Sequence, residues 1–202
     1  MSKTRYLLAR HRVFLSWIFG LVFIYLASRP AYQVPSRTAL LYLVIGLEIA
    51  MLGEGLRVWA SGYLYKDESL AVNGPFSYTR NPLYLGSFLV GFGFCFATGQ
   101  PLLLIAFMLL FVLVFTHTIR SEENILQEKF GAEFANYKQA VPIFVPSPKG
   151  YASNVLNEFS WQQVKQNKEY QAASGVILLA AYMIIRFLFV YNAATPVKNI
   201  LN

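Results

Sequence analysis

The fourteen residues Asn73-Gly74-Pro75-Phe76-Ser77-Tyr78-Thr79-Arg80-Asn81-Pro82-Leu83-Tyr84-Leu85-Gly86 begin polar and turn-rich and run without a break into apolar sequence. Asn81 is placed to cap a helix and Pro82 to be its first residue, because proline holds φ at a helical value and has no N–H to leave unpaired. The pattern predicts a helix that starts at 82 with its unpaired amides and positive dipole end facing the polar side. Such a helix mouth suits an anionic group. Arg80, Tyr78 and Tyr84 crowd the same place and supply a planar cation and two aromatic faces. Chemistry at a membrane surface is the reading that these residue types favour.

The surrounding chain has 202 residues, 56% of them hydrophobic and 13% charged, with a mean hydropathy of +0.44. That is too apolar for an ordinary soluble domain and points to an all-α integral membrane protein. The single cysteine, Cys95, permits no intramolecular disulfide and no cysteine metal site, and His11 and His117 show no metal-ligand spacing, so no metal is expected. The net charge of +7 is dispersed, which suits anionic lipid headgroups as partners and not nucleic acid.

The apolar runs define about five transmembrane helices, at residues 13–27, 38–59, 82–97, 102–117 and 172–191, in a single membrane domain over 1–202. The first follows a basic start and is read as a retained span and not a signal peptide, since no small-x-small cleavage pattern follows it. Thr98-Gly99-Gln100-Pro101 joins the third and fourth spans too tightly for anything but an antiparallel hairpin. Gly86, Gly91 and Gly93 leave room for close helix contact. Glu54 and Arg57, three apart, are expected to pair, and Glu48, an acid in mid-span, calls for a partner such as Arg186. Between Arg120 and Tyr170 the chain turns polar. The fourth helix should continue to a stop at Gly131, a short helix over 132–140 should end before Pro142, and 151–166 should form an amphipathic surface helix with Val155, Leu156, Phe159 and Val164 inward.

Two of these polar segments carry a resemblance. Gly74 to Gly86 resembles the Gly-x-Tyr-x-x-x-Arg-His-Pro-x-Tyr-x-Gly signature of the isoprenylcysteine carboxyl methyltransferases and the related phospholipid methyltransferases. Glu122-Glu123-Asn124-Ile125-Leu126, Phe130-Gly131-Ala132-Glu133-Phe134-Ala135-Asn136-Tyr137 and Val141-Pro142 are similar to the same family's downstream elements, in the same order, and Leu56-Arg57-Val58-Trp59-Ala60 is a further partial match. The set covers roughly residues 55–146.

The resemblance implies S-adenosylmethionine as methyl donor, held under a cytosolic capping segment over 120–150, and a lipid-like or isoprenoid acceptor entering from the bilayer. It implies Arg80 and Glu122 as catalytic residues, with Arg80 on the acceptor or the transition state, and Tyr78, Asn81, Tyr84, Glu123, Phe134 and Tyr137 as cofactor-binding residues. The chemistry agrees, since a sulfonium favours carboxylates and aromatic faces while the donor's own carboxylate suits a helix N-terminus. Asn81 stands where the family has histidine and keeps a donor and an acceptor; Phe76 and Phe134 stand where it has tyrosines and keep neither. The acceptor stays open between a carboxylate and a headgroup amine. Two other classes also remain: a sterol-reductase-like enzyme using NADPH, whose Arg-His-Pro-Asn-Tyr-x-Gly-Glu pattern differs here at Leu83 and Ser87, and a non-catalytic helical membrane protein.

Orientation follows from thirteen lysines and arginines in the N-terminal tail, the 57–80 region and the 120–168 segment, against Arg29, Arg37 and Lys198 on the other side. The N-terminus and the active-site face are therefore expected in the cytosol. A cysteine introduced at Lys149 should react with an impermeant thiol reagent from the cytosolic side alone, and reaction from the opposite side would invert the topology.

Overall fold

The computed structural model describes residues 23, 36–65, 69–152 and 157–194. Their elements are α1 (Ser36–Gly62), a 3-10 turn (Gly74–Ser77), α2 (Pro82–Ala97), α3 (Pro101–Ala140), α4 (Trp161–Gln166) and α5 (Glu169–Ala194). No strand occurs among them. Three helices are long and apolar enough to cross a bilayer, over Arg37–Gly62, Pro101–Ala140 and Glu169–Val190; α2 is apolar but shorter. These match four of the five expected spans. The expected span at 13–27 lies outside the described residues except for Phe23, which is buried in the core.

The hairpin forms where its turn residues place it, α2 ending at Ala97 and α3 starting at Pro101. What brings α1 against α2 is the absence of side chains. A Cβ added at Gly53 would lie 2.7 Å from the Gly86 carbonyl oxygen, and one at Gly46 would lie 2.5 Å from that of Gly93. Seven residues separate the glycines on each helix, so the two antiparallel backbones touch at two successive levels. Lipid tails are as apolar as leucine, so helix association rests on this kind of close contact and not on a hydrophobic drive. Gly86 and Gly93 were legible as packing glycines; their counterparts Gly46 and Gly53 were not singled out. Gly91 serves a different neighbour, opening onto the ring of Phe107 on α3.

Between α2 and α3 lies a layer of rings. Phe88 meets Phe107 at 5.9 Å and Phe111 at 5.0 Å, Phe111 stacks on Phe115 at 4.1 Å, and Tyr84 meets Phe115 edge-on at 5.2 Å. Offset and edge contacts of this kind each add about 0.5–1.5 kcal/mol beyond area burial.

Beyond the apolar part, α3 runs on to Gly131, where φ 50° and ψ −118° break the helix before it resumes to Ala140. Only glycine takes that conformation without strain, so the expected stop and restart both occur. The expected surface helix over 151–166 is corrected at its described residues, while Val155 and Leu156 lie outside them. Residues 157–160 form no helix and α4 covers only Trp161–Gln166, because Ser160, itself extended, caps it by accepting from Gln162 N while its own N–H donates to Gly62 O at 3.0 Å. Phe159 lies against Gly62 and Tyr63 instead of along a helix face. Glu48 is exposed on α1 and, among the described residues, forms no ion pair with Arg186 or any other side chain.

Gly93→Val should force α1 and α2 apart and cost about 1–3 kcal/mol, as overpacking of a close contact does. A fall in melting temperature in detergent larger than that of Gly175→Val, where an added Cβ meets nothing within 4 Å, is the expected result.

Candidate functional site

Asn81 occupies the N-cap position of α2, with φ −127° and ψ 56°, but its side chain does not cap. Its Nδ2 donates to Ile143 O at 2.9 Å. The residues around it do the same work. Thr79 Oγ1 donates to Phe144 O at 3.0 Å, Arg80 N to Pro142 O at 2.9 Å, and Arg80 Nη1 to Val141 O at 3.2 Å and Lys138 O at 2.6 Å. Three consecutive residues, 79 to 81, thus satisfy four consecutive carbonyls, 141 to 144. Farther along, Ser147 N donates to Tyr78 O at 2.8 Å and Tyr151 N to Ser77 O at 2.9 Å. The polar half of the opening stretch is a clasp on the segment that follows α3.

The guanidinium of Arg80 also lies 2.9 Å from a carboxylate oxygen of Glu123, whose other oxygen is 3.0 Å from Lys138 Nζ. Glu123 is buried, so this double pairing removes the cost of an isolated charge. One residue earlier, and so about 100° around the helix, Glu122 is exposed and accepts the Tyr84 hydroxyl at 2.5 Å. Two adjacent acids therefore have separate tasks, one inside the clasp and one on a cavity wall. Tyr137 is buried and donates to Phe76 O at 2.7 Å. Burial pushes its phenol well above the usual range, opposed by Arg80 and helped by Glu123 and Tyr151, so it stays a neutral donor. Phe134, also fully buried, packs beside it with Leu70, Val72 and Val141.

These groups surround a cavity of about 440 Å³, within the usual range for a small-molecule site. Arg80, Asn81, Tyr84, Glu122, Glu123, Phe134 and Tyr137 all line it, although they come from two segments of the chain. Tyr78 does not: it is exposed and lies beside Gly150, because the clasp turns it outward. Sequence reasoning missed Tyr65, Ser69 and Leu70 of the α1-to-turn connection, and Lys129 and Phe130 of α3. The connection carries no motif, so only its short length between two anchored elements hinted that it roofs the site. Among the described residues, no group of three or more His, Cys, Asp or Glu could hold a metal.

Comparison with known proteins follows this geometry. Residues 42–133 match the family model described as phospholipid methyltransferase. The nickel-cobalt-cadmium resistance protein NccN of Alcaligenes xylosoxydans xylosoxydans is 34% identical over 108 residues, covering 51% of this chain and 47% of that protein. Protein-S-isoprenylcysteine O-methyltransferase of Saccharomyces cerevisiae is 31% identical over 115 residues, covering 51% and 48%. The chain thus spans about half the length of these curated relatives. A solved structure of the eukaryotic intramembrane Ras methyltransferase ICMT superposes with a TM-score of 0.51 at 23% identity, covering 75% of this chain and 56% of that one, which supports the shared fold. The clasped helix mouth and the two adjacent acids on the following helix fall within the stretch that is similar to the phospholipid methyltransferase family model and to protein-S-isoprenylcysteine O-methyltransferase, and the chain shares the fold of the solved intramembrane methyltransferase.

Proposed function

We propose that the protein transfers a methyl group from S-adenosylmethionine to a lipid-like acceptor, a carboxylate or a headgroup amine, at the cytosolic membrane face. The observation that carries this reading is the cavity at the mouth of α2, walled by two carboxylates, Glu122 and Glu123, and several rings. S-adenosylmethionine supplies, when bound, a methyl group made electrophilic by a sulfonium charge. Glu122 and the face of Tyr84 are the groups suited to hold that cation; Glu123 already has its charge balanced by Arg80 and Lys138. The first turn of α2, which no side chain caps, faces the same cavity through Pro82, Leu83 and Tyr84 and suits the donor's carboxylate. Phe130, Phe134 and Leu70 exclude water from the reacting atoms. A carboxylate acceptor needs no proton removed. An amine needs one, and Glu122 is the acid placed to take it.

Within this reading Arg80 is a positioning residue, since its guanidinium serves Glu123 and two carbonyls. The reductase alternative loses its footing at Ser87, where that pattern has glutamate. Ser87 donates to Leu83 O and accepts from Arg57, away from the cavity.

Calorimetric titration in lipid nanodiscs should give a donor dissociation constant in the micromolar range, and methyl-labelled donor with a total lipid extract should yield a labelled lipid. Absence of donor binding would overturn the proposal. Glu122→Gln should weaken donor binding by about tenfold, the worth of one charge-assisted contact.

Arg80→Lys retains the charge near Glu123 but loses the planar fork that reaches both carbonyls. Turnover should fall by roughly ten- to a thousandfold and thermal stability by about 1–3 kcal/mol, because the buried Glu123 carboxylate loses its planar partner and two carbonyls lose a donor. A variant that loses turnover with its melting temperature unchanged would return Arg80 to the acceptor.

A further inference from the structure

The clasped segment has a composition that a place in water does not explain. Residues 141–148 read Val-Pro-Ile-Phe-Val-Pro-Ser-Pro, with three apolar side chains between prolines. Pro142 and Pro146 have no N–H, and the carbonyls of Val141, Pro142, Ile143 and Phe144 are each taken by residues 79 to 81. Phe144 packs its ring at 5.8 Å from Phe88 and 6.0 Å from Phe111, within the aromatic layer of the membrane helices. Its neighbours face outward: Ile143 is 42% and Val145 74% exposed, beside a helix that exposes Val112 by 60% and Leu113 by 73%.

In water, two large aliphatic side chains that the clasp holds outward would be left exposed without compensation. In lipid the logic reverses. Irregular backbone can lie at the membrane interface where protein satisfies its acceptors, and here four successive carbonyls are satisfied and Pro142 and Pro146 bring no donor, while the N–H groups of residues 143–145 keep the backbone itself at headgroup level. The helix that carries the clasp supports the same depth, since the 16 residues of α2 extend about 24 Å, less than a hydrocarbon core of roughly 30 Å. One of its two ends, the polar mouth at Asn81 or the turn at Thr98, therefore lies at the acyl boundary or below it.

We infer that residues 143–145 form an interfacial loop whose partner is the bilayer itself, with Ile143 and Val145 immersed among the upper acyl chains and Phe144 pinned to the helix bundle. This does not rest on methyl transfer. It adds a physical role for the clasp: residues 79 to 81 hold the carbonyls of a segment that lies against the bilayer surface.

The test uses Val145→Cys carrying a polarity-sensitive fluorophore in nanodiscs, with Lys149→Cys as the exposed reference; the native Cys95 is buried and does not compete for the label. The 145 label should emit at shorter wavelength, be quenched by nitroxide on the upper acyl chain, and be at least about fivefold less accessible to aqueous iodide than the 149 label, as a side chain sunk below the headgroups would be. Iodide quenching equal at the two positions would overturn the inference. A 145 label shielded from both iodide and nitroxide would also overturn it, and would assign the surface to a protein contact instead.

Discussion

Four carbonyls held by three residues are the constraint on which the site depends. A chain leaving α3 after a forty-residue helix has no intrinsic reason to return to the mouth of α2. It returns because Thr79, Arg80 and Asn81 present side-chain and main-chain donors in sequence, and because Pro142 prevents the helix from continuing. Each of these bonds contributes only about 0.5–1.5 kcal/mol, but they act on successive residues of both segments, so together they specify one arrangement. Once the segment is in place, Tyr137 and Phe134 are buried under it, and the cavity acquires its inner wall.

The clasp changes what the motif residues mean. Arginine and asparagine beside a helix mouth suggest ligand contacts when read from sequence, and both do line the cavity. Their strongest bonds nevertheless go to the protein. Asparagine can stand where the family has histidine because the position needs one donor aimed at Ile143 O, which an amide supplies as well as an imidazole. Phe134 lacks the hydroxyl of the family's tyrosine and loses nothing visible, since it sits fully buried among apolar neighbours.

Local features were legible in proportion to how local their causes are. The start of α2 at Pro82, the hairpin turn, the break at Gly131 and the Glu54–Arg57 pair, 3.5 Å apart, each depend on a few adjacent residues with special backbone or charge properties. The seven motif residues around one cavity were legible because they recur in a known order. Features fixed by distant partners were not. Nothing near Tyr78 reveals that Ser147 and Gly150 turn it outward, and nothing near Val155 to Gln166 reveals that Gly62 takes the N–H of Ser160 and shortens the expected helix. Gly46 and Gly53 look like any glycines in a membrane helix until their partners on α2 are known.

The same dependence on distant partners governs how α5 is attached. Most of that helix faces outward, and its apolar surface gains little from touching other helices in lipid. Its start is fixed by polar contacts instead. Glu169 lies 2.6 Å from Arg57, which also reaches Glu54 and the hydroxyl of Ser87, and Asn167 donates to Ser61 O at 3.0 Å and Leu64 O at 2.9 Å. One guanidinium thus joins α1, α2 and α5, and one amide satisfies the carbonyls left open where α1 ends. Buried ion pairs add little net stability but penalise every arrangement that separates them, so they select position more than they supply energy. That selection matters here because Leu64 and Tyr65, immediately beyond the tethered end of α1, form the roof of the cavity. The outer wall of the site is therefore set by charges buried near the membrane interface, just as its inner wall is set by the clasp.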